Sequence, residues 1–171
     1  IREWFGGDGA TVVGMIAGCS FAILICSALG LFSGSMVAYF GVPPFVATLG
    51  MMMVGSGLAY MLSGGLSIYQ LPQSFDWLGR GDDLGGIPNA VVLMIVLYLL
   101  AHTLMSRTTL GRYIYAVGGN PEAARLSGVP VKKILLGVYA SCGALAGLGG
   151  VIMASQFKSG DPKYGLMYEL Y

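Results

Sequence analysis

Few residues of this chain have side chains that could carry out chemistry, and they form no catalytic pattern. The single histidine, His102, lies near the end of an apolar segment, four residues before Ser106, and we interpret it as packed or interfacial, with a proton relay as the alternative. Cys19, Cys26 and Cys142 have neither a Cys-x-x-Cys spacing nor a neighbouring histidine, which favours small buried hydrophobic side chains over metal ligands. Without a Gly-x-x-x-x-Gly-Lys-Ser/Thr loop the chain is not expected to bind ATP. The sequence thus predicts no enzyme, cofactor or metal site.

The most informative polar stretch is GGNPEAARLSG, residues 118–128, which separates two nearly uncharged segments. Asn120 can cap a helix, Pro121 suits its first position, and Glu122 favours the positive end of the helix dipole. Gly128 can take the left-handed conformation that ends a helix. The pattern predicts a helix over 121–127, and an isolated helix that short is marginal in water, so it must pack on something. The segment of interest comprises Asn120, Pro121, Glu122, Ala123, Ala124, Arg125, Leu126, Ser127 and Gly128.

Two interpretations of this short helix are open. A helix lying at the lipid headgroups would be longer and would carry large apolar anchors, whereas here Leu126 and two alanines form a thin apolar face. The residues therefore favour a docking element for a cytoplasmic partner over a surface helix.

The segments on either side of this short helix are predicted to span the membrane. Hydrophobic residues make up 56% of the chain and charged residues 10%, with mean hydropathy +0.75, whereas soluble domains carry about 25% charged residues. Residues 9–75, 84–106 and 134–157 contain no Asp, Glu, Lys or Arg. A crossing helix needs about 20 apolar residues. The sequence predicts an all-α integral membrane protein with about four spans, at 10–40, 45–63, 89–106 and 134–156.

The segment 10–40 would be about 46 Å long as one helix, which exceeds a straight crossing of roughly 30 Å. We therefore expect a break near Gly30 or Ser33-Gly34, and a turn at Gly41–Pro44. The 28 glycines include pairs four residues apart, which predict a crowded, glycine-rich bundle. These pairs are Gly14 and Gly18, Gly30 and Gly34, and Gly143 and Gly147.

Orientation follows from the basic residues. The 107–133 segment holds five Lys or Arg against Glu122 alone, whereas the 64–87 loop holds only Arg80 against three aspartates. Basic short loops stay in the cytoplasm, so 107–133 is predicted to lie inside and 64–87 outside. Four spans place both chain ends outside; three crossings within 9–75 would move the N-terminal end inside.

Several segments resemble one family in order along the chain. TTLGRYIYAVGGNPEAARLSGVPVKK (108–133) is similar to the cytoplasmic loop of sugar-type bacterial ABC transporter permeases, the ribose/xylose/galactose group. VPPFVATLGMMMVGSGLAYMLSGG (42–65), VYASCGALAGLGGVIMAS (138–155) and YGLMYEL (164–170) resemble that family's segments as well. The chain opens on Ile1, and Tyr171 stands where the family has Asp, so we expect a central portion of such a permease.

The resemblance implies a multi-pass protein of the bacterial inner membrane that imports a monosaccharide. Residues 120–128 would be the coupling helix that contacts a separate ATP-hydrolysing subunit, with Glu122 and Arg125 as charged contacts and Leu126 as an apolar plug. A second permease copy and a periplasmic sugar-binding protein would be further partners, and Asp76, Trp77, Asp82 and Asp83 in the outer loop could meet the latter. Candidate residues of the substrate pathway are Phe45, Thr48, Ser56 and Tyr60.

Two other functions remain open at this point. One is import of another small polar solute, such as a nucleoside, a signalling sugar or a branched amino acid. The other is a channel or scaffold outside the ABC class, in which the polar helix docks a different protein. The spanning segments carry no ionised residue at mid-span, which weighs against a proton- or sodium-coupled carrier.

Overall fold

A computed structural model describes residues 12–69, 81, 86 and 88–162 of the chain. Its elements, in order, are α1 (Val12–Phe40), α2 (Pro44–Ser63), β1 (Ile68–Tyr69), α3 (Asn89–Arg107), α4 (Thr109–Gly119), α5 (Pro121–Leu126), α6 (Val131–Phe157) and β2 (Ser159–Gly160). Helices α1, α2, α3 and α6 are each long and apolar enough to cross a membrane. They fall on the apolar segments of the sequence, so the fold is a helical membrane bundle.

The first helix corrects one expectation, because α1 runs from Val12 to Phe40 as one helix. Gly30 and Gly34 do not interrupt it. Both lie against α6, where a Cβ on Gly30 would meet the carbonyl oxygen of Tyr139, and a Cβ on Gly34 would lie 2.8 Å from Tyr139 Cβ. These glycines therefore allow close packing, and the helix ends only at Gly41, whose φ of +67° suits glycine.

Helices α1 and α6 form the main packed pair of the described chain. They run antiparallel, since Gly143 and Gly147 of α6 lie against Cys26 of α1, while Gly30 and Gly34 lie against Tyr139. A Cβ on Gly147 would be 2.8 Å from Cys26 Cβ. Ser27 adds an interhelical hydrogen bond, its Oγ donating to the carbonyl oxygen of Ala140 at 3.2 Å. Small residues thus bring the two backbones together along this glycine seam.

A sharp corner joins α3 to α4, and the sequence reasoning missed it by leaving 107–120 as a loop. The backbone of Thr108 leaves the helical conformation. Its side-chain Oγ1 donates a hydrogen bond to the carbonyl oxygen of Leu104 at 2.6 Å and accepts one from the amide of Gly111 at 3.3 Å. Gly111 is buried against the backbone of Met105, so closely that a Cβ at this position would collide with it. The signal was present in the capping threonine followed by apolar residues at 110, 114 and 117.

A short antiparallel strand pair lies at the end of the bundle opposite the α3–α4 corner, and it adds to the expected all-α fold. Ile68 pairs with Gly160, and Tyr69 pairs with Ser159. Next to the strands, Ser67 Oγ donates to Asp161 Oδ2 at 2.6 Å. We call residues 67–69 and 159–161 the clasp. It joins the segment after α2 to the segment after α6, so those two helices end on the same side of the bundle.

Candidate docking site at the basic end

The N-terminus of α5 is capped as the sequence predicts. Asn120 Oδ1 accepts hydrogen bonds from the amides of Glu122 at 3.0 Å and Ala123 at 3.1 Å. Pro121 occupies the first helical position, where an amide hydrogen would have no partner. Asn120 also ends α4, its own amide donating to the carbonyl oxygen of Ala116 at 3.1 Å. One residue therefore fixes the angle between the two helices.

The C-terminus of α5 closes with two interlocking backbone bonds. The amide of Gly128 donates to the carbonyl of Arg125, and the amide of Val129 donates to the carbonyl of Ala124, each at 3.0 Å. Gly128 has φ +81°, the left-handed conformation this Schellman motif needs. The expected end of the helix at Gly128 is confirmed, and the helix spans Pro121–Leu126 against the predicted 121–127.

Ala124 anchors α5 to the rest of the protein. It is 5% exposed and forms a small core with Val117 of α4 and Ile134 of α6. Four partly buried residues pack around these three: Ile114, Val129, Val131 and Leu135. We call these seven residues the anchor cluster. The packing partner that so short a helix requires is thus supplied by α4 and α6.

The remaining face of α5 points away from the anchor cluster. At about 100° per residue, Glu122 and Leu126 each lie about 160° around the helix from Ala124. Leu126 is 82% exposed. Arg125 Nη2 lies 3.4 Å from Glu122 Oε1, with both side chains more than two-thirds exposed. An exposed pair of this kind contributes little to stability, so the outward face consists of available charge and one large apolar side chain.

The surroundings of this face are positively charged. The exposed basic residues are Arg107 at the end of α3, Arg112 on α4, and Lys132 and Lys133 in the first turn of α6, and we call this side of the bundle the basic end. Lys132 Nζ lies 5.0 Å from the ring centroid of Tyr39, which links the first turn of α6 to the last turn of α1. This contact therefore joins α1 to α6 at the end of the pair from which α6 leads back to α5.

The candidate pathway residues share one side of α2. By helical geometry Phe45, Thr48, Ser56 and Tyr60 lie within an arc of about 120°. Phe45 is 73% exposed and Tyr60 38%, while Ser56 is half-buried. Thr48 Oγ1 bonds to the carbonyl oxygens of Pro44 at 2.9 Å and Phe45 at 3.1 Å, so its hydroxyl already serves its own helix. The structure puts the four on one face and encloses none of them.

A separate groove of about 260 Å³ lies between α3 and α6. The residues that line it are apolar apart from one tyrosine hydroxyl: Ala90, Met94, Leu97, Tyr98, Leu145, Leu148, Gly149 and Ile152. Such a lining suits an acyl chain or a helix rather than a hydroxyl-rich solute.

The residues with reactive side chains lie apart from one another. Within the described ranges no group of three His, Cys, Asp or Glu could hold a metal ion. Cys19 and Cys26 are half-buried, but Cys142 is exposed, contrary to the interpretation that all three are buried, because it lies on α6 away from the glycine seam. His102 is exposed near the end of α3. Asp76, Trp77, Asp82 and Asp83 lie outside the described residues.

Comparison with known proteins bears on the whole chain. The family described as "Branched-chain amino acid transport system / permease component" matches residues 9–171. The ribose import permease protein RbsC of Escherichia coli is 37% identical over 96% of this chain and 54% of its own length. The L-arabinose ABC transporter permease protein AraH of Azospirillum brasilense is 35% identical over 91% of this chain and 46% of its own length.

A third relative, the D-allose transport system permease protein AlsC of Escherichia coli, is 35% identical over 87% of this chain and 45% of its own length. The chain thus spans about half the length of the curated relatives it matches. No solved structure matches significantly. The four spanning helices and the family match identify a multi-pass protein of the inner membrane. The family match also makes the chain a transport component rather than an enzyme. The chain belongs to the family of branched-chain amino acid transport system permease components, and its matched relatives include sugar permeases.

Proposed function

We propose that this chain belongs to the membrane-spanning subunit of an ATP-driven importer for a monosaccharide, and that residues 120–128 couple it to a separate ATP-hydrolysing subunit. The observation that carries the proposal is α5 itself. It is capped at both ends, anchored through Ala124, and exposes Glu122, Arg125 and Leu126.

The geometry of α5 suits the transfer of movement between two proteins. A coupling element must be rigid, since a helix that frays would absorb a displacement rather than pass it on. The cap at Asn120 and the Schellman motif at Gly128 stabilise the two ends, and Ala124 packs the middle against α4 and α6. A push on Leu126 would thus reach α6 through packed side chains.

The substrate class rests on the relatives and on the character of the spanning helices. The three relatives are named for ribose, arabinose and allose, although the family description names branched-chain amino acids. A zwitterionic amino acid would be matched by buried charges, whereas a sugar needs hydroxyl partners and aromatic faces. Helix α2 offers Phe45, Thr48, Ser56 and Tyr60 and no charge, which supports the sugar and makes these four our candidate pathway residues.

Two further partners are part of the proposal. The end opposite the basic end, where the clasp lies, would face a periplasmic or extracellular sugar-binding protein. A second permease copy is the other proposed partner, and the described portions of α2 and α3, which have no buried residue, offer apolar faces to further helices of the same permease or of that copy.

The test is co-purification of the complete permease from membranes of its native host. Wild type is compared with Arg125→Glu, and Lys133→Glu serves as the matched control, because it reverses an exposed positive charge at the basic end but not on α5. We expect an ATP-binding subunit to co-purify with the wild type and with Lys133→Glu. It should be lost with Arg125→Glu, since like charges facing each other in an interface cost several kcal/mol.

Sugar uptake by the same cells separates the alternatives. Uptake inhibited by monosaccharides supports the substrate class, and inhibition by leucine or a nucleoside instead would replace it. If the intact wild-type protein recovers no ATPase at all, the coupling role fails and a channel or scaffold becomes the better account.

A further inference from the structure

The outward face of α4 continues the outward face of α5 without a gap. Asn120 ends α4 and begins α5, so only one residue separates the two helices. Both helices pack on the anchor cluster, α4 through Ile114 and Val117 and α5 through Ala124. The sides of the two helices that point away from this cluster therefore form one surface.

Helical geometry identifies which residues of α4 lie on that surface. Arg112 lies about 140–160° around the helix from Ile114 and Val117, and Tyr115 lies about 100–160° from them. Tyr115 is 67% exposed, and Arg112 is exposed too. The small residues Ala116 and Gly119, within about 40° of Arg112 around the helix, are also exposed, so a partner could approach the helix backbone closely.

The charge of this surface is positive and only partly balanced. Glu122 is the one acidic residue from 107 to 133, and it pairs with Arg125. Arg112 is left without an acidic partner among the described residues. A partner that covers both helices would therefore need a carboxylate opposite Arg112, and Tyr and Arg are the residue types that dominate binding energy at interface centres.

From these contacts we infer that the ATP-hydrolysing subunit is held by α4 as well as by α5, with Arg112 facing an acidic residue of that subunit and Tyr115 packed into its surface. The inference rests on the proposed function and extends it. Ile114 and Val117 on the apolar side of α4 are already used in the anchor cluster, so its outward side offers one large side chain, Tyr115, where a helix lying on lipid requires several apolar anchors.

The test replaces single residues of the complete permease by the photo-crosslinking amino acid benzoylphenylalanine in native membranes. The three positions are Leu126 on α5, Tyr115 on α4, and Tyr98 on α3, which is 73% exposed within a spanning helix and serves as the control. We expect adducts with the ATPase from the first two positions and from Tyr98 none.

The outcomes distinguish the role of α4 from the coupling role of α5. An adduct from Leu126 but not from Tyr115, or lipid adducts alone from Tyr115, would overturn the role of α4 and leave the coupling role intact. No ATPase adduct from either position would overturn the coupling role itself.

A charge reversal gives a second readout. Arg112→Glu should weaken binding of the purified ATPase to the detergent-solubilised permease about tenfold or more, because a like charge then faces the acidic partner. Lys133→Glu should leave the affinity unchanged. Equal affinities for the wild type and Arg112→Glu, with binding still lost in Arg125→Glu, would exclude Arg112 from the interface.

Discussion

Replacing Gly147 by leucine tests the glycine seam most directly. The first added carbon would lie 2.8 Å from Cys26 Cβ and 3.2 Å from Ile23 Cα. Carbon atoms at optimal separation are about 3.5–4.0 Å apart, so Cβ alone is too close by roughly 0.7–1.2 Å to the cysteine. Ile23 Cα belongs to the backbone and cannot rotate away. The three further carbons of leucine then force α1 and α6 apart.

The cost follows from the loss of this close packing. Overpacking a well-packed contact costs about 1–3 kcal/mol, and we expect about 2 kcal/mol for Gly147→Leu. A loss of that size raises the ratio of unfolded to folded protein about thirtyfold. Since α1 and α6 make the main packed pair, the effect should reach the whole permease, with lower yield and altered oligomer size in detergent.

The assay is an SDS titration of the complete permease in detergent micelles, followed by circular dichroism. Gly150→Leu is the matched control, because Gly150 lies on the same helix, is exposed, and leaves open space within 4 Å of where a Cβ would stand. We expect the unfolding midpoint to fall for Gly147→Leu and to stay in place for the control. Equal midpoints for both variants would mean that the Gly147 face contacts lipid rather than α1.

Three other substitutions address the caps, the corner and the pathway. Asn120→Ala removes the cap of α5, which costs about 1 kcal/mol. Amide hydrogen exchange in the first turn of α5 should therefore become about fivefold faster, and an unchanged rate would contradict the role of the cap. Gly111→Ala should lower the free energy of unfolding by about 1–3 kcal/mol, whereas Gly118→Ala, in open space, should not; equal effects would refute the tight corner. Ser56→Ala should raise the KM of sugar uptake about two- to tenfold, with Ser141→Ala as control, and an unchanged KM would remove Ser56 from the pathway.

The features that the sequence predicted well are those set by local chemistry. The four spanning helices follow from long uncharged segments, because a charged side chain within the membrane is costly. The caps of α5 follow from Asn120, Pro121 and Gly128, each of which meets a geometric need of its own neighbours. The grouping of Leu126 with the two alanines as one apolar face was wrong for Ala124, which is buried while Leu126 is 82% exposed on the opposite side of α5.

The features that were missed depend on residues far apart in the chain. A glycine within an apolar helix can mark a break or a close contact, and only the partner helix decides; for Gly30 and Gly34 that partner is α6, more than a hundred residues away. The clasp has the same character, because the pairing of Ile68 with Gly160 is two residues long and carries no local signal. Helix α4 was missed for another reason: the five basic residues of the 107–133 segment, of which α4 carries only Arg112, suggested a loop, although the apolar spacing of α4 is helical.

The packing divides the described chain into a firmly joined part and a loosely joined part. Helix α5 is fixed to α4 and α6 through the anchor cluster, and α6 is fixed to α1 along the glycine seam and by Lys132 over Tyr39. None of the described residues of α2 and α3 is buried. A displacement applied at α5 would therefore move α4, α6 and α1 together. It would reach α2 chiefly at that helix's two ends, through the turn at 41–43 and the clasp. Because the candidate pathway lies on α2, relative movement between α2 and the α1–α6 pair is the change that binding of an ATPase at the basic end would be expected to drive.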